Sequence, residues 1–175
     1  MRTSGRDPVS AIKIKRLSEL KRIVSGLKQE GKKIVFTNGC FDILHSGHVQ
    51  YLEKAKSKGD ILIVAVNTDA SIRKIKGNNR PINKQSDRTK VLAGLSCVDY
   101  VVLFNQDTPL STIQALKPDV LIKGADWNKD NIVGAGFVSG YGGRVATIKL
   151  LAGRSTTNII KKIAAIYCGK NSSRK

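Results

Sequence analysis

Acidic residues, cysteines, histidines and aromatics are all scarce in this sequence, and each scarcity closes off a class of protein. Only 13 Asp and Glu stand against 31 Lys and Arg, a formal net charge of +18 over 175 residues. So basic a balance points to anionic partners. The three cysteines, Cys40, Cys97 and Cys168, form no CxxC pair, which argues against a disulfide scaffold or a structural zinc site and leaves reduced thiols. Aromatics make up 5% of the chain, and the basic ends lack the interleaved aromatic runs on which bases stack, so nucleic acid is not an expected partner. No stretch nears the roughly 20 apolar residues that cross a bilayer, and Met1–Arg6 leads into no signal-peptide core. A cytoplasmic protein with no membrane partner is expected.

What is present suffices for one core. With 41% hydrophobic residues, a chain of this length can remove roughly two-thirds of its unfolded surface from water. Residues 13–167 read as one domain, between a loose basic arm at 1–12 and a basic tail at 168–175. Residues 1–33 and 161–175 together hold +12 of the +18. The remaining +6 suits a protein that handles phosphates without a nucleic-acid groove.

Apolar runs and helical spacings alternate along the domain. Leu17, Leu20, Ile23, Val24 and Leu27 predict a helix over 16–29 that ends at Gly31. Residues 33–37 predict a buried strand stopping at Asn38-Gly39, and 47–58 predict a helix closed by Gly59. Further strands are predicted at 61–66, 100–104, 119–123 and 144–150, with helices at 87–95, 109–116 and 156–167. The strand over 61–66 is continuously apolar, as parallel strands covered on both faces tend to be. A parallel α/β sheet of five strands, with helices on both faces, is the economical architecture.

In open α/β sheets, ligands bind beyond the carboxyl ends of the strands. The segment Thr-Asn-Gly-Cys-Phe-Asp-Ile-Leu-His-Ser-Gly-His over 37–48 follows the first predicted strand and contains both histidines of the chain. His45 and His48, three apart at a helix start, share a face beside backbone N–H groups that favour an anion. Capping or plain surface placement is the alternative. Gly47 between them permits close approach of a ligand, and Asn38-Gly39 makes the preceding turn. No third ligand at metal spacing accompanies the pair, so no protein-held metal is expected. A second cluster, Gly153-Arg-Ser-Thr-Thr-Asn158, follows the last strand. Ser155 or Thr156 as an N-cap accounts for about 1 kcal/mol, but three hydroxyls and an arginine exceed what capping needs and would hold the β- and γ-phosphates of a nucleotide. There is no GxxxxGK[ST], and no GxGxxG opens the first helix.

At these residues the sequence resembles a known family. Phe-Asp-Ile-Leu-His-Ser-Gly-His over 41–48 resembles the HxGH signature of the cytidylyltransferase-like nucleotidyltransferases, and Ser-Thr-Thr-Asn-Ile-Ile over 155–160 their second signature. Thr37–Asp42, Val64–Ser71, Lys76–Pro81 and Ile122–Trp127 are similar to the adenylyltransferase half of bifunctional ADP-heptose synthases, in a match running from about Leu17 to Ile166. The resemblance implies a Rossmann-like three-layer α/β/α sandwich that transfers AMP from ATP to D-glycero-D-manno-heptose 1-phosphate, releasing pyrophosphate, for the lipopolysaccharide core. It also implies Mg²⁺ carried with ATP, a separate heptose kinase in the pathway, and a homodimer.

By that resemblance His45, His48, Lys76 and Thr156 are catalytic. Thr37, Asn38, Gly39 and Phe41 form a nucleotide-side wall, and Gly124, Asp126 and Trp127 stand near base and ribose. Arg154, Ser155, Thr156 and Thr157 join the histidines on the phosphates, although the family pattern has no arginine at 154. Asp42, Asp69 and Arg80 would meet the acceptor. Plainer roles stay open for Lys76 as a solvated loop charge, for Trp127 as a core residue and for Asp69 as a helix cap. One alternative activity is a CTP-dependent cytidylyltransferase acting on glycerol 3-phosphate or a similar small phosphate. Another is a synthetase-like RNA-binding fragment, for which a KMSKS-like lysine loop is missing. A regulatory protein that binds nucleotide without turnover is the third.

Overall fold

Six parallel strands form one sheet, in the order β1-β4-β3-β2-β5-β6. In chain order the elements are β1 (Ile14–Lys15), α1 (Leu17–Gln29), β2 (Ile34–Gly39), α2 (Ser46–Lys56), β3 (Ile61–Asn67), α3 (Asp69–Lys76) and α4 (Gln85–Ala93). There follow β4 (Tyr100–Phe104), α5 (Leu110–Leu116), β5 (Val120–Gly124), α6 (Ala135–Gly140), β6 (Arg144–Ile148) and α7 (Thr156–Tyr167). The structure is a computed structural model and describes residues 12–125, 131–151 and 153–168. The arm and most of the tail expected from the sequence lie outside those residues.

The five strands expected from the sequence are β2 to β6. The sixth, β1, has two residues paired with Val101 and Val102 at the sheet edge, too short to leave a period in the sequence. α6, of six residues, likewise stands where no element was expected, whereas α3, of eight, is the helix that a capping role for Asp69 presupposes. The helix expected over 87–95 lies two residues earlier, at Gln85–Ala93.

Alternate residues of the central strands enter two cores. Val35, Leu62, Val64 and Val66 pack with Leu52 and Ala55 of α2 and Leu92 of α4. Ile34, Phe36, Ile63 and Ala65 pack with Leu20 and Val24 of α1, Ile113 of α5 and Val138 of α6. Each such fully buried aliphatic or aromatic side chain contributes about 1.5–3 kcal/mol, and because both faces are covered the strands read as unbroken apolar runs.

The two ends of the sheet differ in charge. At the amino ends, carboxylates take strand N–H groups: Asp60 accepts from Lys33 N at 2.7 Å, Asp99 from Leu62 N at 2.6 Å and Asp119 from Ile34 N at 2.7 Å. Those acids offset the basic excess at the far side from the carboxyl ends. Central β2 is flanked by β3 and β5, and the chain leaves it in opposite directions, so a crevice opens at its carboxyl end.

Candidate active site

Where β2 ends at Gly39, the chain turns through Cys40 and Phe41 into the segment that leads to α2. Phe41 takes φ of 45°, a left-handed conformation that is strained for a bulky side chain. Its buried ring packs 5.3 Å from that of His48, tilted by 59°. Gly39 makes room for it, since a Cβ there would meet the Phe41 ring at 3.0 Å.

His45 is the N-cap residue of α2 and His48 lies in its first turn, as the HxxH spacing predicts. Their rings stack with centroids 3.8 Å apart and 26° between planes. Both Nδ1 atoms are buried, and neither has a hydrogen-bond partner among the described residues. Burial, then the neighbouring His45, pushes His48 down to about 4; burial, then the Arg154 guanidinium, also lowers His45. At neutral pH both imidazoles are therefore uncharged, which lets them stack, and an arriving anion favours their protonation. Gly47 serves this packing. A Cβ on it would stand 3.0 Å from His45 Nδ1 and 3.2 Å from Arg154 Cβ, so its small size accommodates protein groups in the structure at hand.

The start of α7 faces the pair. Ser155 is the N-cap, its Oγ accepting from Asn158 N at 3.1 Å, and Thr156 Oγ1 donates to the Ile43 carbonyl at 3.3 Å. One of the three hydroxyls thus caps the helix and one tethers it to the segment after β2. Thr157 and Arg154 line a cleft of about 280 Å³ together with His45, His48, Lys76 and Arg80. Lys76 is the last residue of α3, and Gly77 after it ends the helix at φ 87°.

Asp42 is the carboxylate of this cleft, and it is already occupied. Arg80 Nε donates to it at 2.6 Å, Ile82 N at 2.9 Å and Asn83 N at 2.8 Å. Burial alone would raise its pKa, but the Asn83 and Ile82 amides and the Arg80 guanidinium outweigh that and hold it below the usual carboxylate range. Asp42 and Arg80, expected to meet the acceptor, hold each other and the segment 80–83. Asp69 lies apart from the cleft. It is the first residue of α3, whose cap is Thr68, and it pairs with Arg88 at 2.8 Å. Thr37 also lies inside, fully buried, with its hydroxyl 2.7 Å from Tyr51 Oη. Asn38, Gly39 and Gly124 line an adjoining cavity of about 160 Å³ that shares Phe41 and His48 with the cleft. Asp126 and Trp127 lie outside the described residues.

Arg88 went unmarked in the sequence, where Gln-Ser-Asp-Arg-Thr-Lys reads as a solvated helix face. Its buried guanidinium donates to the carbonyls of Cys40 at 2.6 Å, Asn67 at 2.8 Å and Asn83 at 3.1 Å, and to Asp69. It therefore ties the turn after β2 to β3, α3 and the 80–83 segment. Nothing local in the sequence marks such a role, because every partner is remote. Among the described residues no three of His, Cys, Asp or Glu gather as a metal site.

The chain is 54% identical over 158 residues to the bifunctional protein HldE of Geobacter metallireducens, which covers 90% of this chain and 32% of that protein. It is 53% identical to HldE of Geobacter sulfurreducens, over 89% of this chain and 32% of that one. The chain thus spans about a third of the length of these curated relatives. Among solved structures, the lipopolysaccharide core biosynthesis protein from Thermoplasma volcanium GSS1 is 29% identical with a TM-score of 0.57, over 69% of this chain and 98% of that one. Pantoate-beta-alanine ligase from Francisella tularensis, 18% identical with a TM-score of 0.56 over 93% and 81% of the two chains, shares the fold. The cytidylyltransferase-like family pattern matches residues 36–162, from β2 through the stacked histidines into α7, and the chain belongs to that family of nucleotidyltransferases.

Proposed function

We propose that this protein transfers AMP from ATP to D-glycero-D-manno-heptose 1-phosphate, forming ADP-heptose and pyrophosphate. The observation that carries the reading is the stacked, uncharged His45–His48 pair with unpartnered nitrogens, facing Arg154 and Thr157 across a cationic cleft. Identity of about half to proteins named HldE supports the acceptor.

An oxygen of the sugar phosphate, already anionic, attacks the α-phosphorus in line, and the bond to the β-phosphate oxygen breaks as pyrophosphate leaves. No strong base is required, so catalysis is positioning and charge stabilisation. His45 and His48 donate to the triphosphate as its charge shifts toward pyrophosphate, an effect of about 3–4 kcal/mol for a well-placed donor. Arg154, Lys76 and Thr157 hold the β- and γ-phosphates, with the start of α7 supplying backbone amides. Mg²⁺ enters with ATP as part of the substrate. Asp42 is taken up by Arg80 and two amides, so the ion would be held through the ATP phosphates, where it would neutralise their charge. The sugar 1-phosphate is the product of a kinase step at carbon 1, and the protein works in the cytoplasm as a homodimer, a state sedimentation analysis reads directly. Among the described residues no helix is long and apolar enough to cross a membrane.

The test is pyrophosphate release with Mg²⁺ and ATP or CTP, offering heptose 1-phosphate in both anomeric forms and glycerol 3-phosphate, with His48→Ala as control. Release with ATP and one heptose anomer, lost in the variant, is the expected result. Release only with CTP and glycerol 3-phosphate overturns the nucleotide and the acceptor together.

A further inference from the structure

Beyond the phosphate cleft lies a second cavity, of about 430 Å³, between the carboxyl ends of β2 and β3 and the segment 105–109. The two meet at Cys40 and Lys76, which line both. Its volume falls within the roughly 300–1,000 Å³ of small-molecule sites. Its lining is mixed, with apolar Ile75, Phe104, Pro109 and Val133 beside polar Asn38, Asn67, Asp107, Thr108 and Lys123. Asn38 Oδ1 is buried and has no hydrogen-bond partner among the described residues, an arrangement that costs about 1–3 kcal/mol unless a ligand donates to it.

We infer that this cavity is the subsite for the body of the acceptor, a polyhydroxylated sugar phosphate, with Asn38 Oδ1 accepting a sugar hydroxyl and Asp107 and Thr108 reading further hydroxyls. The inference deepens the proposed function and rests on it for the identity of the sugar. A sugar ring has apolar C–H faces and polar hydroxyls, which suit a lining of both kinds. The acceptor phosphate lies where the cavity meets the cleft, within reach of the α-phosphate of the triphosphate. The carboxylates expected to read the acceptor do not serve: Asp42 is closed by Arg80, Ile82 and Asn83, and Asp69 by Arg88. Asp107 remains available, since its contact with Lys74, at 3.6 Å, joins two well-exposed side chains across solvent. Asn38 moves on this view from the nucleotide wall to the acceptor.

The experiment compares wild type with Asn38→Leu, Asp107→Ala and Thr108→Val. Pyrophosphate release gives KM for heptose 1-phosphate and for ATP, and calorimetry gives binding of heptose 1-phosphate to protein loaded with α,β-methylene-ATP. Loss of one hydroxyl contact raises the acceptor KM and Kd by about tenfold, with the ATP KM unchanged. Because residues 107 and 108 are exposed, their variants keep the test valid even where Asn38→Leu fails to fold. Turnover with an unchanged acceptor KM in the 107 and 108 variants overturns the subsite and leaves the reaction standing. Sugar phosphate binding that weakens in the variants while wild type releases no pyrophosphate overturns the reaction and leaves the subsite. No binding of heptose 1-phosphate to loaded wild type overturns the subsite.

Discussion

His48 joins structure to chemistry most directly, because its burial and its lack of a partner both anticipate an anion. Replacing it with Ala removes a donor to the triphosphate, and kcat for pyrophosphate release falls by about 10²–10³-fold in a steady-state assay. The same residue sets a pH dependence of stability. Its pKa is about 4 in the folded chain against 6.5 unfolded, so the unfolded state binds the extra proton and stability falls as pH drops from about 6.5 toward 4. With solvent screening of the partly exposed ring, the loss is roughly 2 kcal/mol. Urea unfolding at pH 7.5 and pH 5 measures it, and His48→Gln, which does not titrate, shows a shallower loss. Gly47→Ala separates packing from catalysis: the added Cβ crowds the His45 ring at 3.0 Å while improving helix propensity by about 1 kcal/mol. Thermal unfolding moves little in this variant, whereas kcat falls at least about tenfold as the ring is displaced. The meeting of both histidines at a helix start was legible because HxGH spacing is local. The vacancies at their Nδ1 atoms were not, since a partner is present or absent only in three dimensions.

At the scale of elements, the strands were readable from sequence for the reason that makes them stable. β2 and β3 are buried on both faces, so Ile-Val-Phe and Ile-Leu-Ile-Val-Ala-Val are unbroken. β1, α3 and α6 span at most eight residues, too few for a period to emerge from its neighbours. What aligns the elements around the cleft is also remote in sequence: Arg88 reaches Cys40 across 48 positions, and Arg80 reaches Asp42 across 38. Arg88→Met leaves the carbonyls of Cys40, Asn67 and Asn83 without their donor and Asp69 without its cation. Such a buried network costs about 3–5 kcal/mol to break. Chemical denaturation reads that loss directly. In protein that remains folded, KM for both substrates rises, because the turn after β2 and the 80–83 segment lose their common anchor.

For the whole molecule, the decisive asymmetry is between the ends of the sheet. Carboxylates of Asp60, Asp99 and Asp119 sit at the amino ends of strands, while His45, His48, Lys76, Arg80 and Arg154 gather at the carboxyl ends. Anions therefore bind one end, and a ligand that binds only the folded state stabilises it by about 2.7 kcal/mol at a hundred times its Kd. Thermal unfolding with ATP and with pyrophosphate checks this: both raise Tm, and raised salt reduces the gain as screening weakens the attraction. By itself the sequence determined the alternating α/β chain, its basic balance and the two segments, 37–48 and 153–158, that come to line one cleft, because periodicity and short motifs are properties of neighbouring residues. Only the tertiary structure decided which of the marked groups are open to a ligand. Asp42, Asp69, Ser155 and Thr156 are engaged by the protein itself, while Asn38 Oδ1 and the two histidine Nδ1 atoms have no partner among the described residues. Hydrogen-bond capacity is allotted among groups that meet in space, and the fold alone brings residues from β2, α3, the 80–83 segment and α7 to one crevice.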